Sequence, residues 1–456
     1  GVTDEGKSVL VHDDQLTEDI NNKAYGTDGN TAQDQRALSD AQMNSTNTLY
    51  DALGPVLGKY YKDAADAGKL PKTAQFLSDM NKSASTGVAK ATYQHPRPYV
   101  DRVNFNGTTL NMNGLKQTLN IKKVPGYENF DWGDGEAPDN EYDGLYNSGS
   151  FPSGHTTFAF TQGAGLAYLL PELGPEIMTR VSEAGNNRIV LGVHYPLDIM
   201  GGHIAGQYGV ATAVSGEKTA QEGAAARAEL VDYLTAQCKA DNHGDTLDAC
   251  ITNTGANAAN GYRNDFTDEV STKPVTDRAS ALAAYKARMT YGFQATGTTG
   301  QAPVVPDSAV RMLDNVAAFK SLDSAQKKAV LAATEGDSGY PLDASSQGWA
   351  RVNLAAAYSA KVTLSADGKN VVKAEPGQAQ ASVVRETSGN NGNNGGNGNG
   401  GSNAGNIGVN NAAGRNPSGT QPLSKTGADV SGIASAFILI AAAGVTIMMI
   451  RRKHAI

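Results

Sequence analysis

Apolar residues along this chain recur mostly at helical intervals, and they are densest in its middle third. Between residues 45 and 61, Leu49, Leu53, Val56, Leu57 and Tyr60 share a helix-like spacing, with Pro55 placed to kink or split the element. A second helix is predicted over 74–93. It should close before Pro96 and Pro98, because proline has no N–H to give to an interior turn. Three more runs follow at 156–170, 177–193 and 196–214; the first ends at Pro171, and Pro196 suits a first helical turn. The 156–170 run is apolar but too short to span a bilayer. Further helix-like stretches cover 219–237, 277–289 and 323–334, and period-two patterns are few. The expected fold class is mainly α. The rest of 1–150 reads as polar and turn-rich, with 125–150 a long Gly-, Asp-, Asn- and Tyr-rich loop.

The 456 residues allow two or three domains at roughly 100–200 residues each. Composition divides them into a core at 1–215 and a mostly helical extension at 216–376 packed on it. A Gly/Asn-rich flexible linker at 377–422 and a terminal segment at 423–456 complete the chain. Residues 388–414 carry no charge and few apolar groups, which predicts an unfolded tether spanning roughly 30 Å. The compact 339–343 and 348–353 stretch brings no second set of chemical groups. The net charge of −8 and a pI near 5.4 provide no global basic field for nucleic acid, so any cationic site must be local.

Cys238 and Cys250 are the only cysteines and lie outside any zinc-type spacing. In an exported protein they would close a short loop, worth on the order of 3 kcal/mol; otherwise they are two thiols. The first residue is Gly1 and no apolar leader follows it, which reads as a trimmed product of an exported precursor.

Three short segments hold the candidate chemistry. The first runs from Lys90 to Arg97-Pro98, the second is Pro152-Ser153-Gly154-His155, and the third runs from Arg188 through His194 to Asp198. A phosphoryl group in transfer needs cations on its equatorial oxygens, a nucleophile in line and an acid at the leaving oxygen. Lys90, Arg97 and Arg188 supply fixed positive charge, with arginine suited to bidentate contact. Ser153 and Gly154 stand where a loop enters a helix, so outward backbone N–H groups favour an anion. His155 is placed to protonate a leaving alcohol. His194 and Asp198 are four apart at a helix start, so the carboxylate can fix the imidazole tautomer and leave the other nitrogen free to attack.

In their order and spacing, K-x6-R-P, P-S-G-H and R-x5-H-x3-D, these segments resemble the type 2 phosphatidic acid phosphatase superfamily. That superfamily takes in bacterial non-specific acid phosphatases, membrane lipid phosphatases and vanadium haloperoxidases. The resemblance implies a helical-bundle core of the acid phosphatase/haloperoxidase kind and an extracellular, metal-independent phosphomonoesterase working through a phosphohistidine. It makes His194 the nucleophile, Asp198 its orienting partner and His155 the general acid. Lys90, Arg97, Ser153, Gly154 and Arg188 would hold the phosphate. No cofactor is expected, vanadate being a phosphate mimic or, in the alternative of a vanadium-dependent haloperoxidase, the cofactor. The chain departs from the pattern at Asn187, where the family has Ser. A reading of another class is a surface adhesin with a vestigial pocket.

The terminal segment has its own resemblance. Leu423-Ser424-Lys-Thr426-Gly427 precedes 433–450, a charge-free hydrophobic helix, and then Arg451-Arg452-Lys453. This is similar to the sorting signal of Gram-positive surface proteins, with Ser424 in the usual position of Pro. The resemblance implies sortase cleavage between Thr426 and Gly427 and linkage to peptidoglycan at the cell wall. The membrane would then be met only through this segment before sorting. The expected partners are a small phosphomonoester, sortase and peptidoglycan.

Overall fold

The computed structural model describes residues 4–43, 49–103, 105, 114–129, 140–254, 261–343 and 347–387. The tether, the sortase site at Thr426 and Gly427 and the 433–450 segment lie outside the described residues. In chain order, α1 (Asp4–Tyr25) and α2 (Ala32–Ala41) are followed by α3 (Pro55–Asp66), α4 (Pro71–Asn81) and α5 (Gly87–Tyr93). Then come the short α6 (Glu141–Leu145) and three central helices, α7 (Gly154–Leu169), α8 (Gly174–Val190) and α9 (Pro196–Val214). Helices α10 (Glu217–Ala240), α11 (Leu247–Thr254), α12 (Arg278–Thr290), α13 (Ser324–Thr334) and α14 (Leu354–Tyr358) lead to strands β1 (Ala360–Leu364), β2 (Val371–Pro376) and β3 (Ser382–Arg385). The architecture is mainly helical, as the periodicity predicts.

Small residues set the centre of the bundle. On α9, a side chain at Gly206 would overlap Phe160, and one at Gly202 would meet Thr156 Cβ at 2.8 Å. These glycines let α9 and α7 pack at backbone distance, which holds the start of each helix in a fixed relation to the other. Every residue of α8 is buried, polar ones included. Helix α2 packs on one side of α8 and α12 on another. One hydrophobic cluster runs from Leu53 and Phe76 through Leu166, Ile177 and Val210 to Leu230, Leu313, Tyr358 and Val362. Residues before and after 215 therefore share a core. Cys238 and Cys250 are joined in a disulfide that ties α10 to α11. Among the described residues, no helix is long and apolar enough to cross a membrane.

Several boundaries differ from those expected. Pro55 splits its element: a 3-10 turn at Tyr50–Leu53 ends at Gly54 (φ 83°), and α3 begins at the proline. The 74–93 helix is two helices, α4 and α5, because Ser83 Oγ donates to Met80 O at 2.6 Å and closes the first before Gly87 opens the second. Helix α1 escapes a periodicity reading because its inward face mixes Leu16, Ile20 and Ala24 with Asp13, Asp14, Thr17 and Asn21. The sheet was not expected at all. Its order is β2-β1-β3, with β1 antiparallel to β2 and parallel to β3. Strand β3 carries the folded part past residue 376, so the linker boundary at 377 is corrected to beyond Arg385.

Candidate active site

Arg188, His194 and Asp198 come together because α8 stops abruptly at Val190 and α9 starts six residues later, at Pro196. Gly192 takes the left-handed conformation (φ 69°), its N–H donates to Ile189 O at 2.8 Å, and Val193 N–H donates to Arg188 O at 3.1 Å. This double closure is the usual helix stop that only glycine enters without strain. Pro196 then opens α9, and the Asp198 carboxylate accepts from Tyr195 N–H at 3.0 Å. That capping contact aims Asp198 backward at the connector. Its Oδ2 lies 3.0 Å from Nδ1 of His194, and both side chains are buried. Asp198 only accepts, so Nδ1 of His194 carries the proton and Nε2 presents a lone pair.

Arg97 meets that lone pair. Its Nη1 lies 3.1 Å from His194 Nε2 and also donates to Val193 O at 3.0 Å. Its Nε donates to Leu145 O and Ser148 O, each at 3.1 Å. The corner between α5 and Ser150 is thus fixed by carbonyls. Lys90, on α5, donates to Gly149 O and, at 3.1 Å, to Ser150 O.

Arg188 is 1% exposed. Its Nη2 donates to Tyr127 OH at 2.7 Å and its guanidinium stands 5.4 Å over the Tyr127 ring. Its Nε and Nη1 are buried and have no partner among the described residues. Among the described residues, no carboxylate forms an ion pair with Lys90, Arg97 or Arg188. Buried donors without acceptors are costly, so such a cluster is built for an anion.

Ser153 is the N-cap of α7; its hydroxyl accepts from Thr156 N–H at 3.2 Å and from Thr156 Oγ1 at 2.9 Å. Ser153 N–H donates to Asp198 O at 3.0 Å, joining the starts of α7 and α9. Gly154 and His155 form the first turn of α7, where the dipole favours negative charge. His155 Nε2 lies 3.2 Å from Ala41 O, at the end of α2. With that carbonyl accepting from Nε2, the neutral ring carries its proton on Nε2.

The electrostatics follow the crowding. Burial, then Arg97, Lys90 and Arg188, holds His194 well below the ordinary histidine range, so it is neutral. His155 is pushed down by burial, then Arg188. Lys90 is lowered to about 7 by burial and Arg97, and Asp198 is raised to about 6 by burial, against Tyr195 N–H and Lys90.

The structure brings Lys90, Arg97, His194 and Asp198 into one connected cluster. Arg188 and His155 act electrostatically on His194, and Ser153 reaches the cluster through the backbone of Asp198. Asn187 points elsewhere: its Nδ2 donates to Asp40 at 2.8 Å, beside Arg180. Cys238 and Cys250 belong to the α10–α11 link, apart from this chemistry.

Sequence reasoning did not single out Tyr127, the Ala41 carbonyl or Asp13, whose carboxylate accepts from Leu197 N–H at 3.0 Å in the first turn of α9. Nothing local marks them; each reaches the site from an element distant in sequence. His95 and Ser150 lie inside or beside the quoted segments, and their positions were the available signal.

Comparison with known proteins gives the same region. Residues 74–220 match the family model described as PAP2 superfamily. An acid phosphatase of Zymomonas mobilis subsp. mobilis is 33% identical over 205 residues, covering 44% of this chain and 61% of that protein. A non-specific acid phosphatase of Providencia stuartii is 27% identical over 189 residues, covering 40% of this chain and 61% of that protein. The chain thus spans about three fifths of the length of the curated relatives it matches. With helices α7, α8 and α9 at its centre and the cation cluster at their ends, the stretch 74–220 of this chain is similar to the PAP2 superfamily.

Proposed function

We propose that the protein is a phosphomonoesterase of the acid phosphatase type, acting through a phosphohistidine on His194. The observation that carries this reading is Arg188: two of its buried guanidinium nitrogens lack an acceptor among the described residues, and no carboxylate there forms a direct ion pair with it. A phosphate dianion supplies the missing oxygens. Lys90, Arg97, Arg188 and the first N–H groups of α7 hold its equatorial oxygens, with Ser153 and Gly154 setting that turn.

Entry of the phosphate gives Arg97 Nη1 an oxyanion to bind and releases the His194 Nε2 lone pair. Nε2 then forms the N–P bond as the P–O bond to the alcohol breaks, and His155, protonated in the complex because the bound dianion offsets the Arg188 charge, delivers that proton to the departing oxygen. Asp198 holds the Nδ1 proton of His194 and balances the charge that develops on the ring. In the second half, His155 takes a proton from water, the new O–P bond forms and the N–P bond breaks, releasing inorganic phosphate. The cations do the electrostatic work that a metal does elsewhere, so no cofactor is part of the proposal.

Extracellular, wall-anchored placement belongs to the same proposal. Its support is the Leu423–Gly427 motif with the following hydrophobic stretch and basic cluster, which suits sortase transfer to peptidoglycan.

The test is hydrolysis of a generic aryl phosphate by the purified protein with and without chelator and vanadate. Expected are turnover, retention of turnover in chelator and inhibition by vanadate. Activity lost to chelator and restored by metal would overturn the metal-free step. Halide oxidation with vanadate and peroxide, without phosphate release, would overturn the phosphatase reading.

Lys90 gives a pH prediction. With its pKa lowered to about 7, it is charged below that pH and neutral above it. KM for the monoester is therefore expected to rise as pH climbs past about 7, and the rise should vanish in Lys90→Arg, whose guanidinium stays charged. Substrate ionisation is common to both proteins. Parallel KM profiles for the two would refute this role for the lysine.

A further inference from the structure

Asp198 has two carboxylate oxygens, and the His194 contact with the Tyr195 N–H uses only Oδ2. The other oxygen, Oδ1, accepts from Ser150 Oγ at 3.4 Å. Ser150 is fully buried and sits two residues before the Pro152–Ser153 peptide. A hydroxyl has one proton. Since Ser150 spends it on a carboxylate that can only accept, its own oxygen must receive from elsewhere. His95 Nδ1 stands 2.9 Å from that oxygen. With the Ser150 proton on Asp198, the assignment that follows is His95 Nδ1–H to Ser150 Oγ–H to Asp198 Oδ1, with His194 Nδ1–H on Oδ2.

The relay is also locked through the backbone. Ser150 N–H donates to His95 O at 2.7 Å, and Ser150 O accepts from Lys90. The His95 ring rests 4.9 Å from the Tyr195 ring, which fixes its orientation beside α9. Burial, then Arg102, lowers His95 to about 4, so it stays neutral and keeps one tautomer throughout the working range.

We propose that His95 and Ser150 are positioning residues that hold Asp198 as an ionised, correctly turned acceptor for His194. The inference rests on the phosphohistidine reading and extends it to two residues outside the family motif's named positions. Asp198 is otherwise faced by Lys90 of α5, Arg97 of the following loop, His194 and Tyr195 of its own connector, and Asp13 of α1. Lys90 and Arg97 favour its charge and Asp13 opposes it, so a neutral donor at Oδ1 tips the balance toward carboxylate.

Removing that donor should make Asp198 harder to ionise. In Ser150→Ala the acid limb of the kcat/KM profile is expected to move upward by about half a pH unit or more. Activity on the acid side should then fall by about threefold or more, the change that a half-unit shift of a one-proton limb produces. Ser150→Thr, which keeps a hydroxyl, should restore both. The second pair is His95→Leu, expected to shift the limb in the same direction, and His95→Asn, whose amide N–H can stand in for Nδ1–H and should not. This pair decides the matter if Ser150→Ala does not fold, as judged by thermal unfolding. An active wild type whose acid limb is unmoved in Ser150→Ala and His95→Leu overturns the relay alone, even if kcat drops. A wild type that turns over no phosphomonoester overturns the underlying reading instead.

Discussion

His194→Ala is expected to reduce aryl phosphate turnover by about 10⁴-fold or more, the scale seen when a covalent nucleophile is removed. The argument is local. Nε2 is the only unprotonated ring nitrogen in the cluster whose tautomer is set by a carboxylate, at 3.0 Å on the opposite nitrogen. Its one observed partner is a guanidinium that a phosphate would draw away. Binding need not fall with turnover, because Lys90, Arg97 and Arg188 remain. Vanadate or inorganic phosphate should therefore still protect the variant against thermal unfolding. Rapid alkaline quench of wild type should trap phosphate on the protein, and the variant should trap none. Near-normal turnover in His194→Ala would remove the nucleophile from the scheme.

The second large effect is on stability. Arg180→Leu is expected to cost about 3–5 kcal/mol, the range for breaking a buried ion pair by removing one partner. Arg180 is 3% exposed and holds Asp40 through both terminal nitrogens and Asp51 through Nε at 3.0 Å. Asp51 retains Arg36, which also binds Glu183, but Asp40 would keep only the Asn187 amide. A buried carboxylate with one neutral donor is poorly compensated. Replacing both members, Arg180→Leu with Asp40→Asn, should recover part of the loss, since position 40 then carries no charge to leave unpaired. Denaturant midpoints of the two single variants and the double variant measure this directly. A double variant as unstable as the sum of the singles would mean that the pair contributes no coupling.

This network also explains position 187. The motif that this segment resembles has a serine beside the arginine, and here the side chain turns away from the cation cluster to Asp40. The chain spends that residue on tying α2 to α8. That tie matters to the site, because α2 ends at Ala41, whose carbonyl orients His155.

Much was legible in the sequence for a physical reason. Helices α10, α12 and α13 announce themselves by period and caps such as Asp323, while α7 and α9 do so by continuous apolar, small-residue runs bounded by Pro171 and Pro196. The sheet at 360–385 did not, because its strands are short and β3 alternates poorly, its residues being half-exposed or exposed. Helix α1 was hidden by a face that is half carboxylate and amide. Those groups are buried because Arg102, Leu197 N–H and the Lys122 backbone lie opposite, and no local pattern reveals such partners.

By itself, the sequence supplied the groups proposed for the pocket: three cations, two imidazoles, a carboxylate and a helix-opening Ser-Gly-His turn. It did so because motif spacing is governed by local geometry, a glycine helix stop and a proline helix start within one short connector. Only the tertiary structure decided what stands behind them. The tautomer of His155, the second oxygen of Asp198 and the unpaired nitrogens of Arg188 depend on contacts across about 50–110 residues of chain. Such contacts arise from packing at backbone distance, and packing has no signature in a single stretch of residues.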